Sequence, residues 1–156
     1  MTSDRASFED RIAIQDMICA VSAYGDRREF DAMYGLFAAD AVFDYASLLG
    51  TSGALSLDEF RANAAKFRPA IDTLHQVTNF AIRIDGDTAE ALSTVRAVTC
   101  VDDLVAENGG LYTHRLRRTE AGWRITYVRY DVVFRQGPDV FARARAKMGA
   151  ESAADE

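Results

Sequence analysis

Cysteine, proline and histidine are scarce in this chain of 156 residues, which contains two of each. Cys19 and Cys100 lie far apart and outside any CxxC spacing, so the sequence predicts neither a disulfide framework nor a zinc site. His75 and His114 are too few for a histidine-rich metal centre. The motifs GxGxxG, GxxxxGK[ST], HExxH and GxSxG are also absent. The simplest expectation is therefore a site without metal or cofactor.

Long apolar runs and an excess of positive charge are missing as well. No stretch approaches the roughly 20 apolar residues needed to span a bilayer, and the first residues, MTSDRASFEDR, are too polar for a secretory signal. The formal net charge is -6, whereas a surface that follows phosphates needs a dense basic stripe. We expect a cytoplasmic protein that binds neither nucleic acid nor membrane.

The length and composition are those of one globular domain. Hydrophobic residues make up 49% of the chain and aromatic residues 10%, and 156 residues suffice for one sizeable core. The chain ends in a polar, acidic segment after an alanine-rich stretch. We predict a single domain over residues 1–148, followed by a disordered acidic tail over residues 149–156.

Three helices are predicted in the first half. Helical spacing of apolar residues indicates one helix from about Phe8 to about Tyr24, and a second stripe from Phe30 to Phe37 indicates a shorter one. Ser56 and Glu59 have the S-x-x-E form of a capping box, which predicts a third helix from Leu57. The segment 47–56, between the second and third predicted helices, resembles a lid over a cavity mouth.

The second half is predicted to be β. A first strand is expected over Ala41 to Tyr45, and later strands near residues 76–84, 88–101, 111–118 and 123–135. Asp85-Gly86 indicates a tight hairpin, and Asn108-Gly109-Gly110 is interpreted as a longer connection. Helices followed by a long antiparallel sheet give an α+β fold in which the helices cover one face.

A general base can be sought among the two histidines. Imidazole titrates near neutral pH, and a carboxylate on its second nitrogen can orient it, so His75 with Asp26 is one hypothesis. The alternative is that His75 satisfies a buried carbonyl near a strand start and that Asp26 begins a turn. The residues alone leave both interpretations open.

Several short motifs occur in an order that resembles the SnoaL-like family of the nuclear transport factor two-like superfamily. The motifs are Ile14-Gln15-Asp16, Tyr24-Gly25-Asp26, the run from Leu36 to Tyr45, Thr73-Leu74-His75 with Asn79, the run from Ile84 to Ala89, Gly122-Trp123-Arg124-Ile125 and Tyr127-Val128-Arg129. The chain looks most like the branch that includes scytalone dehydratase, a hexachlorocyclohexane dehydrochlorinase and a bile-acid dehydratase.

The resemblance implies a cone-shaped barrel formed by a curved antiparallel sheet and about three N-terminal helices. It also implies that Asp26 and His75 form a catalytic pair and that Arg129 lines the pocket. The relatives carry a Lys or Tyr five residues before the Asp, where this chain has Val21. The remaining substrate-binding candidates, some of which could replace that donor, are Tyr24, Tyr45, Asn79, Tyr112, His114 and Tyr127.

The function implied is that of a cofactor-independent lyase or isomerase acting on a small hydrophobic, cyclic molecule. Dehydratase, dehydrohalogenase and double-bond isomerase chemistry all suit a pair formed by Asp26 and His75. The alternatives are a non-catalytic ligand-binding or assembly module of the same fold and a polyketide-type cyclase. The family resemblance also implies a homo-oligomer, a trimer or dimer, formed through the outer face of the sheet.

Overall fold

The computed structural model describes the backbone of residues 2–154 and the side chains of residues 8–154. Helices occupy most of the first part, and four long strands follow. The helices are α1 (Thr2–Asp26), α2 (Phe30–Tyr34), α3 (Ala46–Leu49), α4 (Leu57–Ala65) and α5 (Val140–Ala154), with a 3₁₀ turn at Arg68–Ala70. The strands are β1 (Phe37–Asp44), β2 (Leu55–Ser56), β3 (Asp72–Asp85), β4 (Thr88–Val101), β5 (Leu104–Thr119) and β6 (Gly122–Gln136).

Helix α1 presents the predicted apolar stripe to the core. Ile14 and Ile18 are 0% and 2% exposed, and Met17 and Val21 pack against the same cluster. The helix continues past the predicted end to Asp26, and the chain reverses direction at Arg28, which has a left-handed φ of 63°. Asp26 therefore lies on the last turn of α1, which packs against β3.

Helix α2 is shorter than predicted, because Phe37 belongs to a strand. The helix ends at Tyr34, and Phe37 pairs with Ile125 of β6 at the start of β1. Strand β1 thus begins four residues before the predicted Ala41. The pairing with β6 explains the difference, since a buried aromatic residue fits a strand as readily as the end of an amphipathic helix.

The six strands form one curved sheet in the order β2-β1-β6-β5-β4-β3. Strands β3 to β6 are antiparallel neighbours, as predicted, whereas β1 runs parallel to β6. A parallel pair needs a long crossover, and here α3, α4 and β3 to β5 lie between the two strands in the chain. The α+β cone is confirmed, but its sheet is mixed and not wholly antiparallel.

Gly109 and Gly110 lie inside β5, so the predicted connection at this point is wrong. The chain turns instead between Val101 and Leu104. A Cβ atom on Gly110 would lie 2.6 Å from the ring of Tyr130, and one on Gly109 would overlap Phe134. The glycines admit these two rings at a point where the β5–β6 register shifts, which is a usual role of strand glycines.

The capping box forms as predicted at the start of α4. The Glu59 amide donates to the Ser56 hydroxyl over 3.3 Å, and the Ser56 amide donates to the Glu59 carboxylate over 2.8 Å. The segment 47–56 is not a plain loop, because it contains most of α3 and the short strand β2, which pairs with β1. This ordered segment leads directly into the helix that carries Phe60 into the core.

Helix α5 runs to Ala154, through residues predicted as a disordered tail. Three of the six residues 149–154 are alanine, the strongest helix former, and the last two residues of the chain lie outside the described range. Val140 and Ala144 anchor the helix in a second apolar cluster with Phe67 and Ile71. Within the described part of the chain, no helix has the length and apolarity to cross a membrane.

Candidate functional site

Asp26 and His75 are brought together by the packing of α1 on β3. The Nδ1 atom of His75 lies 2.6 Å from Asp26 Oδ1, and the His75 backbone amide donates to Asp26 Oδ2 over 2.9 Å. The Thr73 hydroxyl donates to Asp26 Oδ1 over 2.8 Å. Three donors from one strand therefore fix the carboxylate, although it is 49 residues away from His75 in the chain.

The electrostatics of the pair favour an ionised carboxylate. Burial raises the pKa of Asp26, but the hydrogen bonds from the ring and backbone of His75, with that from Thr73, outweigh it and hold the pKa below its ordinary value of 3.8. An ionised carboxylate only accepts hydrogen bonds, so the proton of neutral His75 resides on Nδ1 and the lone pair on Nε2. This is the tautomer required of a general base.

The His75 ring lines a cavity enclosed by the sheet and the helices. The cavity has a volume of about 100 Å³, room for several water molecules but below the roughly 300–1,000 Å³ typical of ligand pockets. Leu48 and Leu49 of α3 form part of the wall. Its aromatic residues are Phe30, Tyr45, Phe60, Phe67, Tyr112, Tyr130 and Phe141. The site is thus an apolar space with a base at one wall.

His75 and Asn108 face this space from the same height of the sheet. His75 on β3 pairs with Ala97 on β4, and Ala97 pairs with Asn108 on β5. With neighbouring strands about 4.8 Å apart, the two backbones are separated by roughly 10 Å. The small Ala97 side chain keeps the gap between them open, and all three residues line the cavity.

The chain matches a known family over most of its length. A sequence model described as a SnoaL-like domain matches residues 6–129. The chain belongs to the SnoaL-like family. The uncharacterized protein Rv2910c of Mycobacterium tuberculosis is 30% identical to it over 129 residues, which cover 77% of this chain and 83% of that protein.

Solved structures share the fold of this SnoaL-like domain. A Novosphingobium aromaticivorans protein provisionally named an aromatic ring hydroxylase is 29% identical with a TM-score of 0.76, over 84% of this chain and 94% of that one. A second protein of that organism, provisionally named a scytalone dehydratase, is 19% identical with a TM-score of 0.75, over 88% and 92%. The nuclear transport factor two-like architecture expected from the sequence is therefore confirmed.

Three of the predicted substrate-binding residues line the cavity of the SnoaL-like domain. They are Val21 on α1, Tyr45 after β1 and Tyr112 on β5. The hydroxyls of Tyr45 and Tyr112 lie 3.4 Å apart, and burial raises the pKa of both. Tyr24 packs against the core cluster and is not part of the cavity wall. Tyr112 and Tyr45 are thus protonated donors at neutral pH.

Arg129, Tyr127 and Asn79 do not reach the cavity, which corrects the expectation for all three. The β5–β6 register shifts between Arg115 and Leu116, so the regular alternation of inward and outward side chains along β6 breaks between Ile125 and Tyr127. Arg129 then points outward and pairs with Asp131 at 2.8 Å, while the Tyr127 ring lies under Arg115. Asn79 sits exposed at a bulge of β3 with a φ of 57°.

His114 is packed in the core and is not part of the cavity wall. It is 3% exposed, its ring centroid lies 5.1 Å from that of Tyr112, and its Nδ1 has no hydrogen-bond partner among the described residues. Burial lowers its pKa to about 3. His114 is therefore a neutral residue beneath Tyr112, unsuited to proton exchange near neutral pH.

The sequence did not single out Arg68, Asn108 or Tyr130, which all line the cavity. The Tyr130 hydroxyl donates to Asn108 Oδ1 over 2.5 Å, and burial raises the pKa of Tyr130 to about 12. The only signal for Asn108 was its position before two glycines, which was interpreted as a turn. No group of three or more His, Cys, Asp or Glu side chains in the described range could hold a metal.

Proposed function

We propose that the protein is a cofactor-independent lyase or isomerase that acts on a small hydrophobic molecule in this cavity. The observation that carries the proposal is the 2.6 Å contact between His75 Nδ1 and Asp26 Oδ1, made by a histidine whose ring lines an apolar space. The same hydrogen bonds also hold α1 on β3, but a histidine on the cavity wall is positioned as a general base requires. The likeness to a protein provisionally named a scytalone dehydratase supports the same class.

In the proposed reaction, His75 Nε2 takes a proton from a carbon beside an activating group. The electron pair of that C–H bond becomes a C=C bond while a hydroxyl or halide leaves the neighbouring carbon, or the proton returns to a different carbon and the double bond moves. Asp26 stabilises the imidazolium that forms. Tyr112 and Tyr45 can donate to the developing negative charge or leaving group, because both line the cavity as neutral phenols.

Arg129, which was expected to line the pocket, cannot assist a leaving group from its position. Its guanidinium is on the outside of the sheet, and Val21 offers no donor at the position where relatives carry one. Tyr45 and Tyr112 occupy the cavity and replace both. Because the cavity holds about 100 Å³, a cyclic substrate requires Leu48 and Leu49 to move outward on binding. The larger substrates of a polyketide-type cyclase require a still larger movement.

The proposal is tested with three kinds of cyclic probe in deuterated buffer. β-Hydroxy ketones report dehydration, chlorinated cyclohexanes report loss of chloride, and β,γ-unsaturated ketones report double-bond migration. Each kind is offered both as a neutral compound and as a carboxylic acid and is followed by proton NMR. His75→Gln should slow the active probe by on the order of 10² to 10⁴ fold. Gln76→Ala is the matched control, since Gln76 is the next residue of β3 and is exposed.

Two results would contradict the catalytic proposal. If every probe that the protein converts reacts at the same rate with the His75→Gln variant, or if none is converted, the catalytic assignment is wrong. Binding of these probes without conversion would support the ligand-binding module. Circular dichroism of each variant confirms that the comparison is made between folded proteins.

We also propose that the domain forms a homo-oligomer through the outer face of its sheet. Leu74, Leu92, Val105 and Leu111 are 61%, 47%, 55% and 51% exposed on β3, β4 and β5, and such apolar surface is typical of an interface. Light scattering should give a dimer or trimer that Leu111→Lys dissociates. A monomer at micromolar concentration would remove this proposal and leave the catalytic one untouched.

A further inference from the structure

Arg68 brings a positive charge into the apolar cavity. It lies in the 3₁₀ turn after α4, and its half-buried side chain forms part of the cavity wall together with His75. No aspartate or glutamate is among the residues that line this space. The carboxylate of Asp26 is on the far side of His75, where three donors already engage its oxygens.

The contacts of Arg68 leave its hydrogen-bonding capacity largely unused. Its Nη1 lies 3.3 Å from the sulfur of Met33, and its guanidinium lies 5.1 Å from the ring centre of Phe30. Its Nε is buried without a hydrogen-bond partner among the described residues. By contrast, neighbouring Arg28 pairs with Asp72 at 2.7 Å and also binds the carbonyls of Pro69 and Ile71.

This arrangement is unfavourable without a ligand and favourable with one. A guanidinium offers five N–H donors in a planar fork, and a buried donor left unsatisfied costs about 1–3 kcal/mol. A carboxylate accepts two parallel hydrogen bonds from that fork and neutralises its charge. The wall of the cavity supplies no such group, whereas a bound carboxylate would supply one.

Arg68 is also close to the proposed catalytic pair. Its Nη1 lies 3.6 Å from the position that a Cβ on Gly25 would occupy, and Gly25 immediately precedes Asp26. The C-terminal end of α1 therefore lies beside the Arg68 guanidinium and also carries Asp26, which pairs with His75. A molecule anchored at Arg68 has its nearest carbons inside the cavity that His75 faces.

We propose that the natural ligand is a hydrophobic carboxylic acid, bound through its carboxylate to Arg68. This assignment makes the substrate class of the proposed function more specific. Turnover of such an acid rests on the proposed function, whereas binding of the acid to Arg68 does not. The carboxylate fixes one end of the molecule, and the apolar part occupies the space between His75, Ala97 and Asn108. Neutral compounds such as chlorinated cyclohexanes lack this anchor.

Binding is measured for matched pairs of an acid and its amide: benzoate with benzamide, cyclohexanecarboxylate with its amide, and propionate with propionamide. Calorimetry or saturation-transfer NMR should show at least one acid bound ten-fold or more tightly than its amide. Arg68→Met should abolish that preference, whereas Arg68→Lys should retain part of it. Arg129→Gln is the control, because Arg129 carries the same charge on the outer face.

Two outcomes would overturn the proposal: no acid preferred over its amide by the unchanged protein, or the same preference after Arg68→Met. The first outcome is measured on the unchanged protein, so the proposal can be refuted even if Arg68→Met does not fold. His75→Gln should keep the acid preference while losing turnover. A protein that prefers acids but converts no probe would therefore retain this anion site while the proposed catalysis fails.

Discussion

Arg135 on β6 donates a hydrogen bond to the backbone carbonyl of Leu48 on α3 over 2.8 Å. The same guanidinium contacts the carbonyl of Ser47, and the Ser47 hydroxyl accepts from the Val132 amide over 2.9 Å. Leu48 and Leu49 form part of the cavity wall. The C-terminal end of β6 thus holds the short helix that contributes Leu48 and Leu49 to the cavity wall.

We expect Arg135→Ala to loosen α3 without unfolding the domain. The change removes the hydrogen bonds to the carbonyls of Ser47 and Leu48, so the local opening of residues 46–54 becomes more favourable by about 1–3 kcal/mol. Hydrogen exchange followed by mass spectrometry should show faster exchange in that segment. Equal exchange in the variant and the original protein would show that Arg135 does not restrain α3.

Asp26→Asn is expected to reduce both activity and stability at neutral pH. An amide in place of the carboxylate weakens three hydrogen bonds, and bonds to a charged group contribute about 1.5–3 kcal/mol each at most. The pKa of Asp26 is lower in the fold than its ordinary value of 3.8. Its stabilisation is therefore present above that value and is lost as pH falls through the folded-state pKa.

Urea unfolding of the Asp26→Asn variant at neutral and acid pH tests this assignment. The difference in unfolding free energy from the original protein should be largest near neutral pH and should shrink below the ordinary pKa of 3.8. Asp16, another aspartate of α1 that is exposed, provides the control Asp16→Asn. A difference that is independent of pH would mean that Asp26 is not preferentially ionised in the folded protein.

Ala97→Leu should fill the gap between His75 and Asn108 and block ligand binding. The added carbons enter existing space of about 100 Å³, so we expect less than the roughly 1–3 kcal/mol usual for overpacking. Ala91→Leu is the matched control on the same strand, because Ala91 is fully buried away from the cavity wall. Thermal unfolding and acid binding should separate the two: Ala97→Leu stays stable but loses binding, and Ala91→Leu loses stability.

The family resemblance correctly implied that Asp26 meets His75, whereas it wrongly implied that Arg129 lines the pocket. Asp26 lies at the end of a helix and His75 near the start of a strand. Both belong to short motifs that occur in the order typical of the family. The face of the sheet on which the Arg129 side chain lies depends on the alternation of side chains along β6. One register shift, opposite Arg115 and Leu116, reverses which later residues of β6 point inward. A single extra residue in a strand leaves no clear mark in composition or periodicity.

Arg68 and Asn108 were missed for a related reason. Asn108 precedes two glycines that resemble a turn, and their true role is to admit the rings of Phe134 and Tyr130 within the sheet. Arg68 follows a helix whose start was predictable from its capping box, but its direction depends on the 3₁₀ turn at Pro69. Local signals predict elements well, and the contacts between distant elements decide which side chains share a cavity.

His114 should make the fold sensitive to acid well above the pH at which carboxylates protonate. Burial lowers its pKa from 6.5 to about 3 in the folded protein, so the unfolded chain binds a proton that the fold excludes. The stabilisation is complete above pH 6.5 and is lost as pH falls toward about 3. Over that interval the unfolding free energy should fall steadily as the pH is lowered.

His114→Leu tests this prediction, because leucine has nearly the same volume and His114 Nδ1 has no partner to lose. The variant should lie within about 1.5 kcal/mol of the original protein at neutral pH and should keep more of its stability as pH falls from 6.5. His75→Gln, which changes the other histidine, should leave the slope due to His114 in place. If His114→Leu and the original protein lose stability in parallel, then His114 is protonated in the folded state and its burial is not the source of acid sensitivity.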